Sequence, residues 1–444
     1  MPSRRQIREL AVWANGTRVG DWRLPNRGAM EFQYDADWLG SPDSRPLSRS
    51  LPITSARVPH KGATVESYFD NLLPDSDSIR RRVQLRFQTE SRSAFDLLAA
   101  IGRDCVGAVQ ILPAEDPPTD IRRIDAHSLT DADVGRELAG VTSSPNALVR
   151  DEDEFRISIA GAQEKTALLR YHGRWCRPVG STPTTHIFKL PLGLVGNRQA
   201  DMRTSVENEW LCARIAAAYG LPVANCEIGV FGSQTALIVE RFDRQLHSSG
   251  KYWLRLMQED FAQATGTPWQ RKYQADGGPG IIDIARILRG SIETQRDLET
   301  LFKSQVLFYL LAATDGHAKN FSIRILAGGQ FQLTPLYDVL SAWPVIGKRA
   351  NEIPLAKVKL AMALPGERPR YNIATIQRRH FETLGKKLGL ATEGTNPIDE
   401  MLNRTATVVA DVQRELPRGF PRGLADRIFD GMTRAAKLMG ASTS

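Results

Sequence analysis

The chain has 444 residues, of which 42% are hydrophobic and 24% are charged, a composition typical of a folded protein with more than one domain. No stretch approaches the ~18 consecutive apolar residues of a membrane-spanning helix, which argues against an integral membrane protein. The four cysteines lie far apart and form no Cys-x-x-Cys pair. This spacing argues against a zinc site or a disulfide framework and predicts a reducing, cytoplasmic location.

In chain order, the sequence predicts a β-rich start, a second β-rich region and a mostly helical end. Asn15-Gly16 stands between two short apolar runs, a strong hairpin signal because both turn residues must accept positive φ. The predicted divisions are an N-terminal β-rich subdomain with helices (1–112), a linker and loop region rich in Pro, Asp and Thr (113–150), a β-rich lobe (151–242) and a helical C-terminal lobe with a basic tail (243–444).

A catalytic constellation is predicted directly after the strongly apolar helix Leu298–Ala313. Asp315 and Asn320 lie five residues apart in one loop, and Asp338 follows a predicted hairpin. A protein-kinase-like phosphotransferase needs this order: an aspartate that orients the substrate hydroxyl, an asparagine that binds Mg²⁺, and a second aspartate that chelates the Mg²⁺ bridging the phosphates. Alone, each residue is typical of a turn or a cap, but the three in order favour phosphotransfer.

The second half of a nucleotide site should lie in the β-rich lobe. Ser158–Lys165 is not a Walker A loop, but its glycine and small neighbours would let backbone amides approach phosphate; a plain β-turn is the alternative. Lys189 lies in an apolar strand, where a lysine is costly unless paired, so we expect it to pair with phosphate; a lysine on an edge strand is the alternative. Glu207 or Glu209 could pair with it, or could simply favour a helix N-terminus. Ile238–Asp243 is either an adenine-reading hinge or a plain strand end.

Positive charge is concentrated near the C-terminus. Residues Ser341–Ser444 carry a net charge of +7, out of +8 for the whole chain. Such a surface is either simply solvated or meets nucleic acid or an acidic partner. Arg378 and Arg379 follow Ile373 and Ile376, so a helix could bury the isoleucines and present both arginines outward. Because no helix-turn-helix is recognisable, we expect these arginines to contact DNA phosphates while a partner reads the bases.

Several sequence blocks together carry a resemblance to a known family. They are Tyr68–Pro74, Ser158–Lys165, Thr185–Pro191, Val239–Asp243, Gln258–Phe261, Asp276–Gly280, Thr314–Asn320 and Pro335–Val339. With these blocks, most of the chain resembles the HipA toxin kinases of bacterial type II toxin–antitoxin modules. The resemblance implies an α+β, two-lobed protein-kinase-like fold, with an α/β N-terminal part followed by an all-α C-terminal part. It also implies ATP-dependent, Mg²⁺-assisted phosphorylation of serine or threonine.

The resemblance further implies a role for individual residues. Asp315 matches the family's catalytic aspartate, Asn320 and Asp338 match its metal-binding residues, and Lys189 matches its nucleotide lysine. The other positions that match nucleotide contacts are Ala160, Gly161, Ala162, Gln163, Glu164, Lys165, Glu240, Arg241, Phe242, His317, Ala318, Lys319 and Tyr337, with Asn320 and Asp338 again among them. Ser158 matches a serine whose autophosphorylation inactivates the family's kinases.

The resemblance also implies partners. The family's best-known target is glutamyl-tRNA synthetase, whose inhibition starves translation and induces dormancy. The usual partner is a small dimeric helix-turn-helix antitoxin of the HipB type, and the complex represses its own operator DNA. Two other functions stay open at this point. A small-molecule kinase could use the same catalytic residues, and a pseudokinase could act only as a DNA-binding co-repressor.

Overall fold

The computed structural model describes residues 8–142, 158–161, 163–390 and 396–441. The N-terminal elements are β1 (Arg8–Ala14), β2 (Thr17–Leu24), β3 (Glu31–Tyr34), α1 (Ala36–Gly40), β4 (His60–Lys61), α2 (Ala63–Asp70), α3 (Asp77–Phe87), α4 (Ala94–Ile101) and β5 (Val109–Pro113). The strands form one antiparallel sheet in the order β4-β3-β2-β1-β5. The β1–β2 turn at Asn15 and Gly16 has φ values of 47° and 82°, which confirms the predicted hairpin.

Aromatic packing fixes the helices of this part onto its sheet. Trp22 on β2 is completely buried and stacks on Phe69 of α2, with ring centroids 3.9 Å apart. Phe95 of α4 packs against the same indole at 4.9 Å. Large aromatic side chains dominate the energetics of such cores, so this triad sets the position of α2. The residues that follow α2 are thereby directed at the second part of the molecule.

The second part is built on another antiparallel sheet. Its elements are β6 (Ala126–Ser128), α5 (Asp131–Thr142), β7 (Lys165–Tyr171), β8 (Arg174–Pro178), β9 (His186–Lys189), β10 (Gly193–Val195), β11 (Ala200–Met202), α6 (Ser205–Ala218), β12 (Cys226–Phe231) and β13 (Gln234–Glu240). The order in the sheet is β12-β13-β9-β7-β8-β6. Strand β9 is central and antiparallel to both neighbours, which explains why its sequence is apolar apart from its ends.

The predicted linker 113–150 differs from the structure in its middle. β6 pairs with β8 as the edge strand of the second sheet, and α5 buries Val134 and Leu138 against that sheet. A three-residue strand is too short for alternation to be visible in the sequence, because only its pairing with a distant strand defines it. Residues 143–150 lie outside the described part of the chain.

The C-terminal part is mainly helical, as predicted. Its elements are β14 (Arg244–Leu246), β15 (Trp253–Arg255), β16 (Gln258–Asp260), α7 (Phe261–Ala264), α8 (Ile281–Leu288), α9 (Thr294–Leu311), β17 (Ser322–Ile325), β18 (Phe331–Leu333), β19 (Lys359–Leu364), β20 (Arg370–Asn372), α10 (Arg378–Leu388), α11 (Pro397–Arg414) and α12 (Arg422–Ala441). Short antiparallel ladders, β14-β15, β16-β17-β18 and β19-β20, accompany the helices, so this part is not purely α. Across the described ranges, every helix is too short or too polar to traverse a bilayer.

Helix α9 forms the centre of this part. Most of its side chains are buried, in agreement with the apolar pattern of the sequence, and α8, α10, α11 and α12 pack around it. The helix ends at Leu311, where Ala312 adopts a left-handed conformation with φ 49°. The predicted hairpin follows as β17 and β18. The loop between α9 and β17 is therefore held between a buried helix and a paired strand, which fixes the course of its backbone.

Candidate active site

The loop after α9 carries Asp315 and Asn320, as the sequence predicts. Ala318–Asn320 forms a single 3₁₀ turn that leads into β17. The Asn320 amide nitrogen donates to the Asp315 backbone carbonyl at 2.6 Å and closes the loop on itself. This hydrogen bond determines the orientation of the Asn320 side-chain amide, so the amide oxygen is the atom that can bind a cation. The Asp315 side chain, in contrast, is 54% exposed and faces the cavity described below.

Lys189 joins the sheet to the C-terminal part. Its ammonium donates to Glu209 Oε1 at 2.6 Å and to Asp338 Oδ1 at 2.8 Å. Glu209, rather than Glu207, is thus the helix α6 partner that the sequence left open. Burial by itself would lower the pKa of Lys189, but Asp338 and Glu209 hold the pKa above its usual value. A buried lysine is tolerated here because two carboxylates compensate its charge.

Asp338 has an uncommon backbone conformation and a strongly stabilised charge. Its φ of 60° is positive, a conformation in which aspartate is enriched several-fold among non-glycine residues. Burial acts to raise the pKa of this carboxyl, but Lys189 and Lys165 together hold it well below the usual range. Asp338 is therefore ionised throughout the physiological range. A permanently charged carboxylate in a cavity is what a hard divalent cation requires.

The loop Ser158–Lys165 lies beside these residues. Lys165 starts β7, directly opposite Lys189 on β9, and its ammonium donates to the Ala160 carbonyl at 2.6 Å. Burial lowers the pKa of Lys165 to about 8, and the neighbouring charge of Lys189 adds to the effect. The Gly161 carbonyl accepts a hydrogen bond from the Asp75 backbone N–H at 3.0 Å. The loop is thus held in place by hydrogen bonds to two neighbours, its own Lys165 and Asp75 of the N-terminal part.

Ser158 is completely buried in this arrangement. Its hydroxyl donates to the Leu72 carbonyl at 2.9 Å, and its backbone N–H donates to the Asp104 carbonyl at 3.1 Å. Both acceptors belong to the N-terminal part. The hydroxyl therefore becomes accessible to any modifying enzyme, or to this chain's own site, only when the loop moves away.

The predicted hinge lies at the end of β13. Phe242 and Tyr337 line the cavity with their ring centroids 5.8 Å apart, which is a suitable surface for a flat base. The Arg241 guanidinium points elsewhere: it is buried and paired with Asp243 at 2.8 Å and with Asp104 at 3.4 Å. Arg241 can therefore meet a ligand through its backbone only.

A cavity of about 210 Å³ brings most of the predicted site residues together. The predicted positions that line it are Ala160, Gly161, Gln163, Lys165, Lys189, Glu240, Arg241, Phe242, Asp315, His317, Lys319, Asn320, Tyr337 and Asp338. Glu164 instead pairs with Arg82 outside the cavity, and Ala318 is buried beneath the loop. Ala162 lies outside the described residues.

The donor set of the cavity fits Mg²⁺. Asn320 and Asp338 offer amide and carboxylate oxygens, the ligands that this cation prefers. In the described ranges, no group of three or more His, Cys, Asp or Glu side chains is arranged to hold a metal. That observation is compatible with Mg²⁺, which is usually bound through one or two protein ligands plus phosphate oxygens and water.

Sequence reasoning missed the contribution of the N-terminal part. Asn71 and Asp75 line the same cavity, as do Lys272 and Asp260. Lys319 donates to the Asn71 side chain at 2.8 Å and to Asp260 at 2.9 Å. The block Tyr68–Pro74 stands out in the sequence, but nothing in it indicates contact with residues about 200–250 positions away.

The prediction that Arg378 and Arg379 both face outward is wrong for Arg378. Its guanidinium donates to the Asp399 carboxylate at 2.6 and 2.7 Å and to Glu382 at 3.0 Å, and the residue is 8% exposed. Asp399 comes from the next helix, so only tertiary packing reveals this pairing. The two preceding isoleucines are buried as predicted, and Arg379 is exposed. The expected DNA contact stays a prediction for Arg379 alone.

Known proteins are similar to this chain in sequence and in fold. The model of the HipA N-terminal domain matches residues 10–112, and the model of the HipA-like C-terminal domain matches residues 157–413. A Sinorhizobium fredii protein named as a candidate kinase is 31% identical over 416 residues, covering 91% of this chain and 93% of that protein. The serine/threonine-protein kinase toxin HipA of Shewanella oneidensis is 28% identical over 326 residues, 69% of each chain.

A solved structure confirms the fold. HipA from the Shewanella oneidensis complex of HipA, HipB and operator DNA superposes with a TM-score of 0.76 at 20% identity, over 96% of both chains. The predicted α+β, two-lobed, protein-kinase-like fold is therefore correct. Because the HipA-like C-terminal model covers more than half of the chain, and the N-terminal model covers most of the remainder, this chain belongs to the HipA family.

Proposed function

We propose that this chain is an ATP-dependent serine/threonine protein kinase that acts as the toxin of a toxin–antitoxin module. The observation that carries the proposal is the cavity in which Asp315 and Asn320 lie beside Asp338 and Lys189, the lysine being paired with both Asp338 and the buried Glu209. An exposed carboxylate beside a charge-balanced phosphate site is the arrangement that phosphoryl transfer needs. The relatives named as kinases support the same activity.

Each residue has a distinct role in the proposed reaction. Asp315 accepts a hydrogen bond from the acceptor hydroxyl and orients its oxygen toward the γ-phosphorus of ATP. The bond between the acceptor oxygen and the γ-phosphorus forms, the bond between the γ-phosphorus and the β–γ bridging oxygen breaks, the hydroxyl proton passes to the Asp315 carboxylate, and ADP leaves. Asn320 and Asp338 would hold Mg²⁺, which would supply neutralisation of the phosphate charge. Lys189 and Lys165 contribute positive charge to the phosphates, and Phe242 and Tyr337 contact the base.

Two aspartate substitutions test the activity. Asp315→Asn should abolish transfer of label from γ-³²P-ATP to protein while leaving the fold intact, and Asp338→Asn should weaken Mg²⁺-dependent ATP binding. Both should relieve growth arrest on expression. Asp283→Asn is a matched control, because Asp283 lies on the surface of the same lobe and pairs with Arg286. If Asp315→Asn retains near wild-type transfer, the assignment of the catalytic residue is wrong.

We further propose glutamyl-tRNA synthetase as the protein acceptor, with inhibition of translation and dormancy as the consequence. Support comes from the family resemblance and from the relative named as a serine/threonine-protein kinase toxin. Incubation with purified synthetase and with a panel of small acceptors such as sugars and aminoglycosides separates this function from that of a small-molecule kinase. Absence of Mg²⁺-dependent ATP turnover would instead favour a pseudokinase co-repressor.

Autophosphorylation of Ser158 is proposed as the inactivating event. A phosphate adds about −1.5 to −2 charges at pH 7, and Ser158 is fully buried against Leu72 and Asp104, so the modified side chain has no room in the present arrangement. The loop would therefore leave the cavity and withdraw its amides from the phosphates. Titration of ATP into phosphorylated and phosphatase-treated protein tests this proposal, and equal affinities would contradict it.

The proposed partners are a dimeric, HipB-like helix-turn-helix antitoxin and, through the complex, operator DNA in the cytoplasm. The solved relative with the same fold was determined in a complex with HipB and operator DNA. The net charge of +7 in the last 104 residues is compatible with DNA phosphate contact. Co-purification of the chain with the product of a neighbouring helix-turn-helix gene, followed by gel-shift of the intergenic DNA, tests these partners.

A further inference from the structure

Residues Asn71–Asp75 reach from the N-terminal part into the catalytic cavity. The Asn71 carbonyl and side-chain oxygen accept hydrogen bonds from the Lys319 ammonium at 3.0 and 2.8 Å. Asp75 is almost completely buried, and its Oδ2 accepts from Lys272 at 3.0 Å. Burial acts to raise the pKa of Asp75, but Lys319 and Lys272 hold it below the usual value. An ionised carboxylate of the N-terminal part is therefore built into the active site.

Lys272 is followed directly by Tyr273, whose hydroxyl donates to Asp315 Oδ1 at 2.5 Å. The tyrosine ring lies edge-on to the ring of His317, with centroids 4.9 Å apart. Tyr273 thus touches both the carboxylate that orients the acceptor and the buried histidine beside it. Burial raises the pKa of Tyr273, and the adjacent Asp315 carboxylate raises it further, so the phenol keeps its proton and can donate.

The backbone around Tyr273 is fixed. The Tyr273 carbonyl accepts from the N–H groups of Asp276 and Gly278, both at 3.0 Å. A Cβ atom on Gly278 would lie 1.9 Å from the Arg271 carbonyl oxygen, so only glycine allows this close return of the chain. The turn after Tyr273 is closed by these hydrogen bonds, and the preceding residue Lys272 is paired with Asp75. Tyr273 therefore has little freedom to move away from Asp315.

We propose that Tyr273 is a positioning residue for Asp315, and that Asp75 of the N-terminal part sets its place through Lys272. Because the Asp315 side chain is 54% exposed, packing alone does not select one rotamer. The phenol fixes Oδ1 and leaves Oδ2 to accept the hydrogen bond of the acceptor hydroxyl. This inference rests on the proposed kinase function and adds two residues from outside the predicted catalytic loop to it.

An alternative role for Tyr273, as an inhibitor that blocks the acceptor site, predicts the opposite change in kcat. If the phenol occupied the place of the acceptor hydroxyl, Tyr273 would compete with the substrate, and its removal would accelerate transfer. If it orients the carboxylate, removal lowers kcat, because misplacement of a reacting group by about 1 Å can reduce a rate about 100-fold. The sign of the change in kcat therefore decides between the two.

The experiment uses the full-length protein, γ-³²P-ATP with Mg²⁺, and two acceptors, purified glutamyl-tRNA synthetase and the chain itself. Tyr273→Phe removes one oxygen atom and should lower kcat by about 10- to 100-fold, with the KM for ATP and the melting temperature little changed. Asp75→Asn should lower kcat in the same way, and Asp75→Glu should restore part of it. Tyr252→Phe and Asp96→Asn are matched controls for the loss of a phenol and of a buried carboxylate, respectively, at positions away from the cavity.

A double variant provides the reading that a merely structural role would not give. If Asp75 acts through Tyr273, the effects of Asp75→Asn and Tyr273→Phe on kcat are not additive. The kcat of the double variant then equals that of the less active single variant. Unchanged or increased kcat for Tyr273→Phe, or fully additive effects, would overturn the inference while the active wild type upholds the kinase function. A wild type without Mg²⁺-dependent transfer to either acceptor would refute the proposed function, and the inference with it.

Discussion

Replacement of Lys189 by methionine should both destabilise the protein and abolish ATP binding, for separable reasons. Methionine keeps the length of the side chain but removes the ammonium that Glu209 and Asp338 share at 2.6 and 2.8 Å. The side chains of Lys189 and Glu209 are 9% and 7% exposed, so Glu209 is left without its counter-charge in a place that water hardly reaches. Asp338 is 30% exposed and regains part of its hydration.

The expected loss follows from that difference in burial. Removing one partner of a buried ion pair reduces the free energy of unfolding by about 3–5 kcal/mol, and most of this loss belongs to Glu209. The more exposed Asp338 contributes at most about 1 kcal/mol. Burial already raises the pKa of Glu209, so in the variant this carboxyl takes up a proton as the pH falls. The destabilisation should therefore be smaller at pH 5 than at pH 8.

The double variant Lys189→Met with Glu209→Gln separates stability from function. It removes both charges, so its free energy of unfolding should recover to within about 1–2 kcal/mol of the wild type, while ATP binding stays absent. Urea unfolding followed by circular dichroism and by tryptophan fluorescence measures the first quantity, and calorimetric titration with Mg-ATP the second. Lys251→Met, in an exposed turn, is the control. A loss below about 1 kcal/mol for the single variant, or no recovery in the double variant, would refute the reasoning.

Three further predictions follow from other charged groups. Burial and the neighbouring Lys189 lower the pKa of Lys165 to about 8, so the affinity for Mg-ATP should weaken between pH 7 and pH 9 as the ammonium loses its proton. In calorimetric titrations, Lys165→Met should bind Mg-ATP weakly and without this pH dependence. Burial raises the pKa of Glu259 to about 8, so the folded state keeps a proton that the unfolded state releases above pH 4.5. In thermal melts, the stability of the wild type should therefore fall between pH 5 and pH 8 relative to that of Glu259→Gln. If the melting temperatures of the two proteins change with pH in parallel, the raised pKa of Glu259 is not the cause of the decline. Arg379→Ala should lower the operator affinity of the toxin–antitoxin complex and reduce the slope of log affinity against log salt concentration by about one unit, without affecting kinase activity. Arg378→Ala should instead destabilise the C-terminal helices, because it removes the pairing with Asp399. An unchanged salt slope for Arg379→Ala would indicate that Arg379 is merely solvated.

The parts of the fold that the sequence predicts are those defined by local patterns. The hairpin at Asn15-Gly16 depends on the φ preferences of two adjacent residues, and α6 ends near Gly220 because a glycine and a nearby proline stop a helix. The buried helix α9 is evident from its apolar run. The strand β6 and the ladder β14-β15 were not predictable, because strands of three residues have no detectable period and exist only through pairing with a distant partner.

The same distinction applies to the site. The spacing of Asp315, Asn320 and Asp338 is a property of one short stretch, and Lys189 is conspicuous because an unpaired lysine in an apolar strand is unfavourable. Tyr273 reaches Asp315 across 42 residues, and Asp75 reaches Lys272 across 197. No local pattern marks either contact. The buried position of Arg378 was missed for the same reason, since Asp399 is supplied by another helix.

The Asn71–Asp75 segment connects the proposed regulation to the proposed catalysis. It accepts the Ser158 hydroxyl through Leu72, donates the Asp75 N–H to Gly161, and holds Lys272 through the Asp75 carboxylate. A phosphate on Ser158 that drives the loop outward breaks the first two contacts together and leaves the Asp75 N–H without its acceptor. The backbone of Asp75 is then free to shift, and with it the support of Lys272 and of the tyrosine beside it. In the proposed mechanism one modification would therefore act twice, because it would withdraw the loop amides from the phosphates of ATP and would also loosen Tyr273, the residue that we propose orients Asp315.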